Sequence, residues 1–222
     1  MILMVRGHIR NSFETKDFYL LVKELHEMYP DLKIFIHTWN IFANNISHRP
    51  IIVNNQNVDN QIIYDYFDDL KNLIQNIIID DDSKINLIGN VSGNIGCNPM
   101  IGWKNYWYGK YRAIEDISNK NINKNEIVVN LRFDIMNNSI SFSKDKIVDF
   151  IKNNSEVIFT KNAFIFDNEQ NFGIDNIYIG NIETMHKLTN KFFYELDEIL
   201  IQNQNIGAPE YLVYRVNNAL FN

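Results

Sequence analysis

The run Glu126-Ile-Val-Val-Asn-Leu-Arg-Phe-Asp134 constrains this chain more than any other stretch. A short apolar segment rich in β-branched residues reads as a buried strand. It ends on an arginine and an aspartate two residues apart. Side chains alternate along a strand, so Arg132 and Asp134 point the same way. In an open α/β sheet, ligands bind beyond the carboxyl ends of the strands. A cation and a carboxylate placed there together could hold a phosphorylated, metal-bound ligand. An internal ion pair that closes the strand accounts for the same two residues.

The rest of the chain alternates strands with helices. Ile2–Val5 reads as a first strand that begins at once, and Arg6-Gly-His-Ile-Arg10 as the loop after it. Asn11 or Ser12 could cap a helix running to Met28, with Phe18, Leu21, Val22 and Leu25 on one face. Lys33–Thr38 is a second strand. Val58–Asn76 carries a helical stripe of Ile62, Tyr66, Leu70 and Leu73, and Ile85–Gly89 reads as a third strand. A glycine-containing loop leads to an aromatic helix over Trp103–Ile117, and Glu126–Phe133 is the fourth strand. Beyond it come a helix at Lys144–Asn153, strands at Glu156–Phe159, Phe164–Phe166 and Asp175–Ile179, and helices at Ile182–Leu200 and Pro209–Leu220. This order predicts a Rossmann-type α/β/α sandwich with a largely parallel central sheet. With 222 residues, the chain fits one domain, or one with an appended lobe.

Charge and cysteine content narrow the function. A net charge of −6 argues against a nucleic-acid partner, which would usually need a basic face. The single Cys97 cannot close an internal disulfide, so a reducing, cytoplasmic setting is expected. No apolar run approaches the ~20 residues of a membrane span, and the start is too short for a secretory signal.

Familiar fingerprints are missing. Gly89-Asn-Val-Ser-Gly-Asn-Ile-Gly96 has neither dinucleotide nor P-loop spacing, and no Gly-x-Ser-x-Gly elbow or zinc-ligand spacing occurs. What remains is a set of polar residues at predicted strand ends. These are Arg6 and Arg10 after the first strand, His37 to Asn40 after the second, and Arg132 with Asp134 after the fourth. Asp175 begins a later strand and Glu210 opens the last helix. Arginine suits phosphate because its planar guanidinium can bond two oxygens at once. Trp39, and Trp103, Tyr106, Trp107 and Tyr111 on the aromatic helix, suit a sugar or base face; core packing is the competing use of most of them. Glu210 could be only a carboxylate favoured at a helix start.

In their order, several short motifs resemble one family. They are Val5-Arg-Gly-His-Ile-Arg10, Ile36-His-Thr-Trp-Asn40, Arg49 after Ser-His, Trp103-Lys104 with Tyr108 to Tyr111, and Val129-Asn-Leu-Arg-Phe-Asp134. Asp175-Asn-Ile-Tyr-Ile-Gly180 with Met185, and Ala208-Pro-Glu210, follow. Together they resemble the glycosyltransferases of surface-polysaccharide and lipopolysaccharide clusters, also found in large DNA viruses. The resemblance spans nearly the whole chain.

It implies a GT-A-type fold, a nucleotide-sugar donor, and a glycan or glycolipid acceptor, with peripheral membrane association where the acceptor is lipid-linked. Residues 1–134 would form the nucleotide-binding half and 135–222 the acceptor-side half. Arg6, Arg10, Trp39, Arg132 and Asp134 would meet the donor, and Asp175 and Glu210 are the general-base candidates. In such enzymes the fourth strand ends in Asp-x-Asp, which binds a divalent metal on the donor diphosphate. Here the first aspartate is replaced by Arg132. Either Asp134 alone holds Mn²⁺ or Mg²⁺, helped by water and phosphate, or Arg132 neutralises the diphosphate without metal. Two rivals share the same residues: another phosphate-handling transferase, and a non-catalytic glycan- or nucleotide-binding module.

Overall fold

The computed structural model describes residues 1–46, 51–96, 98–138, 142–155, 164–167, 173–203 and 210–221; for 138, 164–167, 173–176, 210 and 211 the description is of the backbone. Arg49, Cys97, Ala208, Pro209 and the strand expected at Glu156–Phe159 lie outside it. The chain begins β1 (Ile2–Arg6), α1 (Asp17–Met28), β2 (Lys33–Trp39), β3 (Ile41–Ala43), β4 (Asn54–Asn57) and α2 (Asn60–Phe67). A 3-10 turn over Asp68–Leu73 leads into β5 (Ile74–Asp80), followed by the short pair β6 (Asn94–Ile95) and β7 (Asn98–Pro99), and by α3 (Met100–Ser118). Then come β8 (Ile127–Arg132), α4 (Ile135–Asn138), α5 (Lys144–Ser155), β9 (Phe164–Asp167), β10 (Gly173–Asn181), α6 (Ile182–Gln202) and α7 (Glu210–Phe221).

The central sheet has the order β5-β2-β1-β8-β10-β9. Its first four strands are parallel, and β10 runs antiparallel to both β8 and β9. The expected sandwich with a largely parallel sheet is what the chain forms. From β1 the chain steps outward to β2 and β5, then returns to place β8 on the other side of β1. That reversal is a topological switch point, where the connections diverge and leave a crevice at the strands' carboxyl ends. Arg6 is in register with both His37 and Arg132, and Trp39 with Asp80. The polar ends of four strands therefore meet along one edge.

Strand alternation builds two cores. Leu3, Val5, Ile34, Ile36, Val129 and Leu131 face one way, onto Phe18, Leu21 and Leu25 of α1, Ile63 and Phe67 of α2, and Ile147 and Ile151 of α5. Ile2, Met4, Phe35 and Val128 face the other way, onto α3, α6 and α7. Both faces of β1 are covered, so its apolar run has no polar alternation, as buried parallel strands require. On the second face Trp107 of α3 stacks on Phe192 of α6 at 4.0 Å between ring centroids.

Two expectations are corrected. The helix read from Asn11 or Ser12 starts only at Asp17; residues before it form successive turns, Ser12 N–H to Ile9 O and Glu14 N–H to Asn11 O. Ser12 is buried rather than capping. The helix read over Val58–Asn76 stops at Phe67, and the third strand is Ile74–Asp80, with Ile85–Gly89 outside any regular element. Asp68, at φ 51°, breaks the helix. The following turn still points Leu70 inward. The apolar stripe thus continues past the break.

Helix α3 packs against β2 and β1 with little clearance. A Cβ at Gly109 would lie 2.9 Å from His37 Nδ1, in a site with no exposed surface. Gly109→Ala is expected to lower stability by about 1–3 kcal/mol through overpacking, read as a lower urea midpoint. An unchanged midpoint would mean that the helix can lift without cost.

Candidate functional site

The polar cluster at this edge is organised around Asp134. Its carboxylate is almost wholly buried, at 4% side-chain exposure. Arg132 grips it with a fork, Nε to Oδ1 at 2.8 Å and Nη2 to Oδ2 at 2.8 Å. Arg10 donates from Nη1 to Oδ2 at 2.5 Å. Burial alone would raise the carboxyl's pKa; Arg132, Arg10 and Arg6 outweigh it and hold the group below its ordinary value. The two gripping guanidiniums keep partial access to solvent, at 18% for Arg132 and 21% for Arg10.

Local backbone explains how Arg10 arrives there. Gly7, at φ 95°, turns the chain off β1, and its carbonyl accepts from Thr38 Oγ1 at 3.0 Å. Arg10 itself has φ 55°, a conformation costly for a side chain of its size. Its N–H donates to Phe42 O at 2.8 Å, which pins the turn against β3. Arg6 is less available. It is 3% exposed, its Nε donates to Asn130 Oδ1 at 3.3 Å, and its guanidinium lies 4.0 Å over the Tyr106 ring.

Beside the arginines stands an aromatic wall. Trp39 stacks with His8 at 5.8 Å and with Tyr108 at 5.9 Å, and meets His37 edge-on at 5.0 Å. It is 3% exposed. Trp39 therefore positions the residues around it and offers little face of its own. Asp80 anchors the wall from β5. It accepts from Tyr108 Oη at 2.9 Å and Arg112 Nε at 3.0 Å, and lies 3.3 Å from His37 Nε2. The His37 contact, then those of Arg112 and Tyr108, hold its carboxyl well below the usual range despite burial. Burial keeps His37 neutral. A neutral imidazole facing a carboxylate donates from Nε2, which leaves Nδ1 without a hydrogen-bond partner among the described residues. His8 is also neutral: burial, reinforced by Arg10, lowers its pKa to about 3. Its Nε2 has no hydrogen-bond partner among the described residues and lies 3.9 Å from Asp82 Oδ2.

Of the residues singled out in the sequence, Arg6, Arg10, Trp39, Arg132 and Asp134 gather at this edge. The antiparallel register that pairs Tyr178 with Asn130 carries the start of β10, and the backbone of Asp175, to the same edge. Glu210 is the first residue of α7. Asp80 and Arg112 were not among the sequence candidates, and His8 and Tyr108 stood there only within the quoted motifs. Asp80 had a signal: Ile77-Ile-Ile-Asp80 is an apolar run ending on a carboxylate, the pattern that marks Asp134.

A divalent ion fits this arrangement poorly. Such ions need oxygen ligands at about 2.0–2.6 Å, and both oxygens of Asp134 already face guanidinium N–H groups. Among the described residues no three His, Cys, Asp or Glu side chains group closely enough to hold a metal ion.

No protein-family model matches the chain, and no curated protein matches it. Among solved structures, it is similar to the galactosyltransferase LgtC in complex with donor and acceptor sugar analogues, with TM-score 0.49 and 8% identity over all of this chain and 71% of that one. An active-site mutant of LgtC gives TM-score 0.48 and 9% identity over 98% and 70%.

The buried neutral histidines set a pH dependence. Below about pH 6.5 the unfolded chain protonates both, whereas the folded chain resists. Their stabilisation is therefore full above that pH and declines below it, by up to about 1.4 kcal/mol per pH unit for each. The depressed carboxyl of Asp80 acts in the same direction, lower down, as pH falls through the carboxylate range. His8→Gln removes one group and should make the decline of unfolding free energy between about pH 6.5 and 5 shallower by up to that slope. Parallel curves for the variant and the parent would mean that His8 titrates like a solvated histidine.

Proposed function

We propose that this chain is a GT-A-type glycosyltransferase that moves a sugar from a nucleotide-sugar donor to a glycan or lipid-linked acceptor in the cytoplasm. The observation that carries the reading is the pair of part-exposed arginines, Arg10 and Arg132, fixed on buried Asp134 at the switch point of a mainly parallel sheet. A crevice there, with cations on one side and aromatic groups on the other, suits a nucleoside diphosphate. The ordered resemblance of motifs along the chain adds the sugar.

In this reading the arginines do their chemical work as the glycosidic bond to the donor phosphate breaks. Negative charge then grows on the departing diphosphate, and guanidiniums already held in place stabilise it without reorganising. Asp134 serves them as an orienting group. Asp175, whose strand begins at this edge, and Glu210 are the carboxylates proposed to activate an acceptor hydroxyl. Among the described residues no helix is long and apolar enough to cross a membrane. In this reading a lipid-linked acceptor is met at the membrane surface.

The replacement of the first Asp-x-Asp carboxylate by an arginine favours a second reading, a nucleotide-binding module without turnover. Release of nucleoside diphosphate from a panel of nucleotide sugars, with glycan acceptors present, separates the two. Turnover is expected with at least one donor, and Arg10→Met should then cut kcat/KM by about 10²-fold, the usual scale for losing one charge-stabilising donor. Binding of nucleoside diphosphate with no turnover across the panel would select the module instead.

A further inference from the structure

Resting on the nucleotide-sugar reading above, we propose that this site takes the donor diphosphate with arginine alone, and that its affinity for the diphosphate does not depend on a divalent metal ion. The place that a metal ion would take beside Asp134 is held by two guanidiniums. Arg132 covers both carboxylate oxygens from within its own strand end, and Arg10 reaches Oδ2 from the loop after β1. A cation of charge two would have to come nearer to those oxygens than the guanidinium nitrogens already are, against two positive charges and in a site shielded from water. Like charges held close in a low-dielectric site repel strongly. The carboxylate cannot turn away, because the fork from Arg132 fixes its plane and Arg10 fixes its free edge.

An anion meets the opposite conditions. Arg132 and Arg10 are the part-exposed members of the cluster, and their positions come from elements on both sides of the switch point. Guanidinium groups pair with phosphate oxygens through charge-assisted N–H bonds. The first carboxylate of the Asp-x-Asp motif is the one replaced, and it is replaced by the group that closes the site to a metal. One substitution at position 132 therefore removes a metal ligand and supplies its substitute charge. The strained φ of Arg10 fits the same purpose: the backbone holds an unfavourable conformation at the residue that completes the cluster.

The test is calorimetric titration of the full chain with inorganic pyrophosphate, UDP and GDP, once in EDTA and once with Mn²⁺, with the nucleotide's own metal affinity subtracted. At least one probe is expected to bind, with dissociation constants that agree within about threefold between the two conditions. Arg132→Lys keeps the charge and loses the planar guanidinium that holds Asp134 and is proposed to meet the phosphate, and should weaken binding in EDTA by about tenfold or more. Binding that appears only with Mn²⁺ would overturn the proposal and leave the nucleotide-sugar reading standing. No binding of any probe in either condition would overturn both. Unchanged affinity in Arg132→Lys would remove Arg132 from the diphosphate. If that variant does not fold, the comparison of EDTA with Mn²⁺ on the unaltered chain decides the matter.

Discussion

The buried carboxylate of Asp134, gripped by Arg132 and Arg10, is the interaction on which the candidate site depends. It joins the loop after β1 to the end of β8 across the point where the sheet's connections diverge. A charge so deeply buried is tolerable only while paired. Such a cluster adds little net stability, yet removing one partner costs about 3–5 kcal/mol because the other charge is left stranded. Its contribution is to position: it makes one arrangement of three side chains far better than the alternatives. Phe133, between the two polar residues, points the opposite way into the core against Phe13 and Phe18. The alternation of a single strand end thus fastens the cluster to the fold.

The aromatic side depends on this frame in turn. Lys110 is fully buried over the rings of Tyr106, Trp107 and Tyr178 at 3.8 to 4.0 Å, and Tyr106 Oη lies 2.6 Å from Tyr178 Oη. These contacts hold α3 to the sheet directly behind Arg6. On the same stretch of helix, Tyr108 and Arg112 meet Asp80. Helix α3 therefore backs the strand-end cluster with residues 106 to 112. The stacking of Trp107 on Phe192 locks that helix to α6.

The sheet was legible where burial and periodicity agreed. β1, β2 and β8 are short apolar runs bounded by polar residues, and their ends fall within one residue of the expectation. α3 and α6 were equally plain, since their stripes run for several turns. β5 was hidden because the break at Asp68 carries neither glycine nor proline, and because the 3-10 turn preserves the inward spacing of Leu70. With β5 misplaced, Asp80 had no strand end to sit on, and the group that anchors Tyr108, Arg112 and His37 went unseen. Trp39 shows a different limit. A sequence shows that a tryptophan follows a strand; three rings packed around it are a tertiary fact. That Arg132 and Asp134 share a face followed from spacing alone; that they pair with each other rather than both facing a ligand did not. Arg10 joins them only because Gly7 and a positive φ fold the loop back.

Arg10 and Arg132 are the groups proposed to receive an anion. The most direct measurement is the NMR signal of the arginine Nε–H groups during titration with pyrophosphate in EDTA. The chain has six arginines, so the spectrum is sparse enough to assign by single substitutions. Arg112, whose Nε is bonded to Asp80, serves as an internal reference. The signals of Arg132 and Arg10 should move together along one saturating curve while that of Arg112 stays in place. Signals of Arg132 and Arg10 that stay fixed up to saturating pyrophosphate would show that the cluster is a closed structural ion pair, and the site would have to be sought elsewhere.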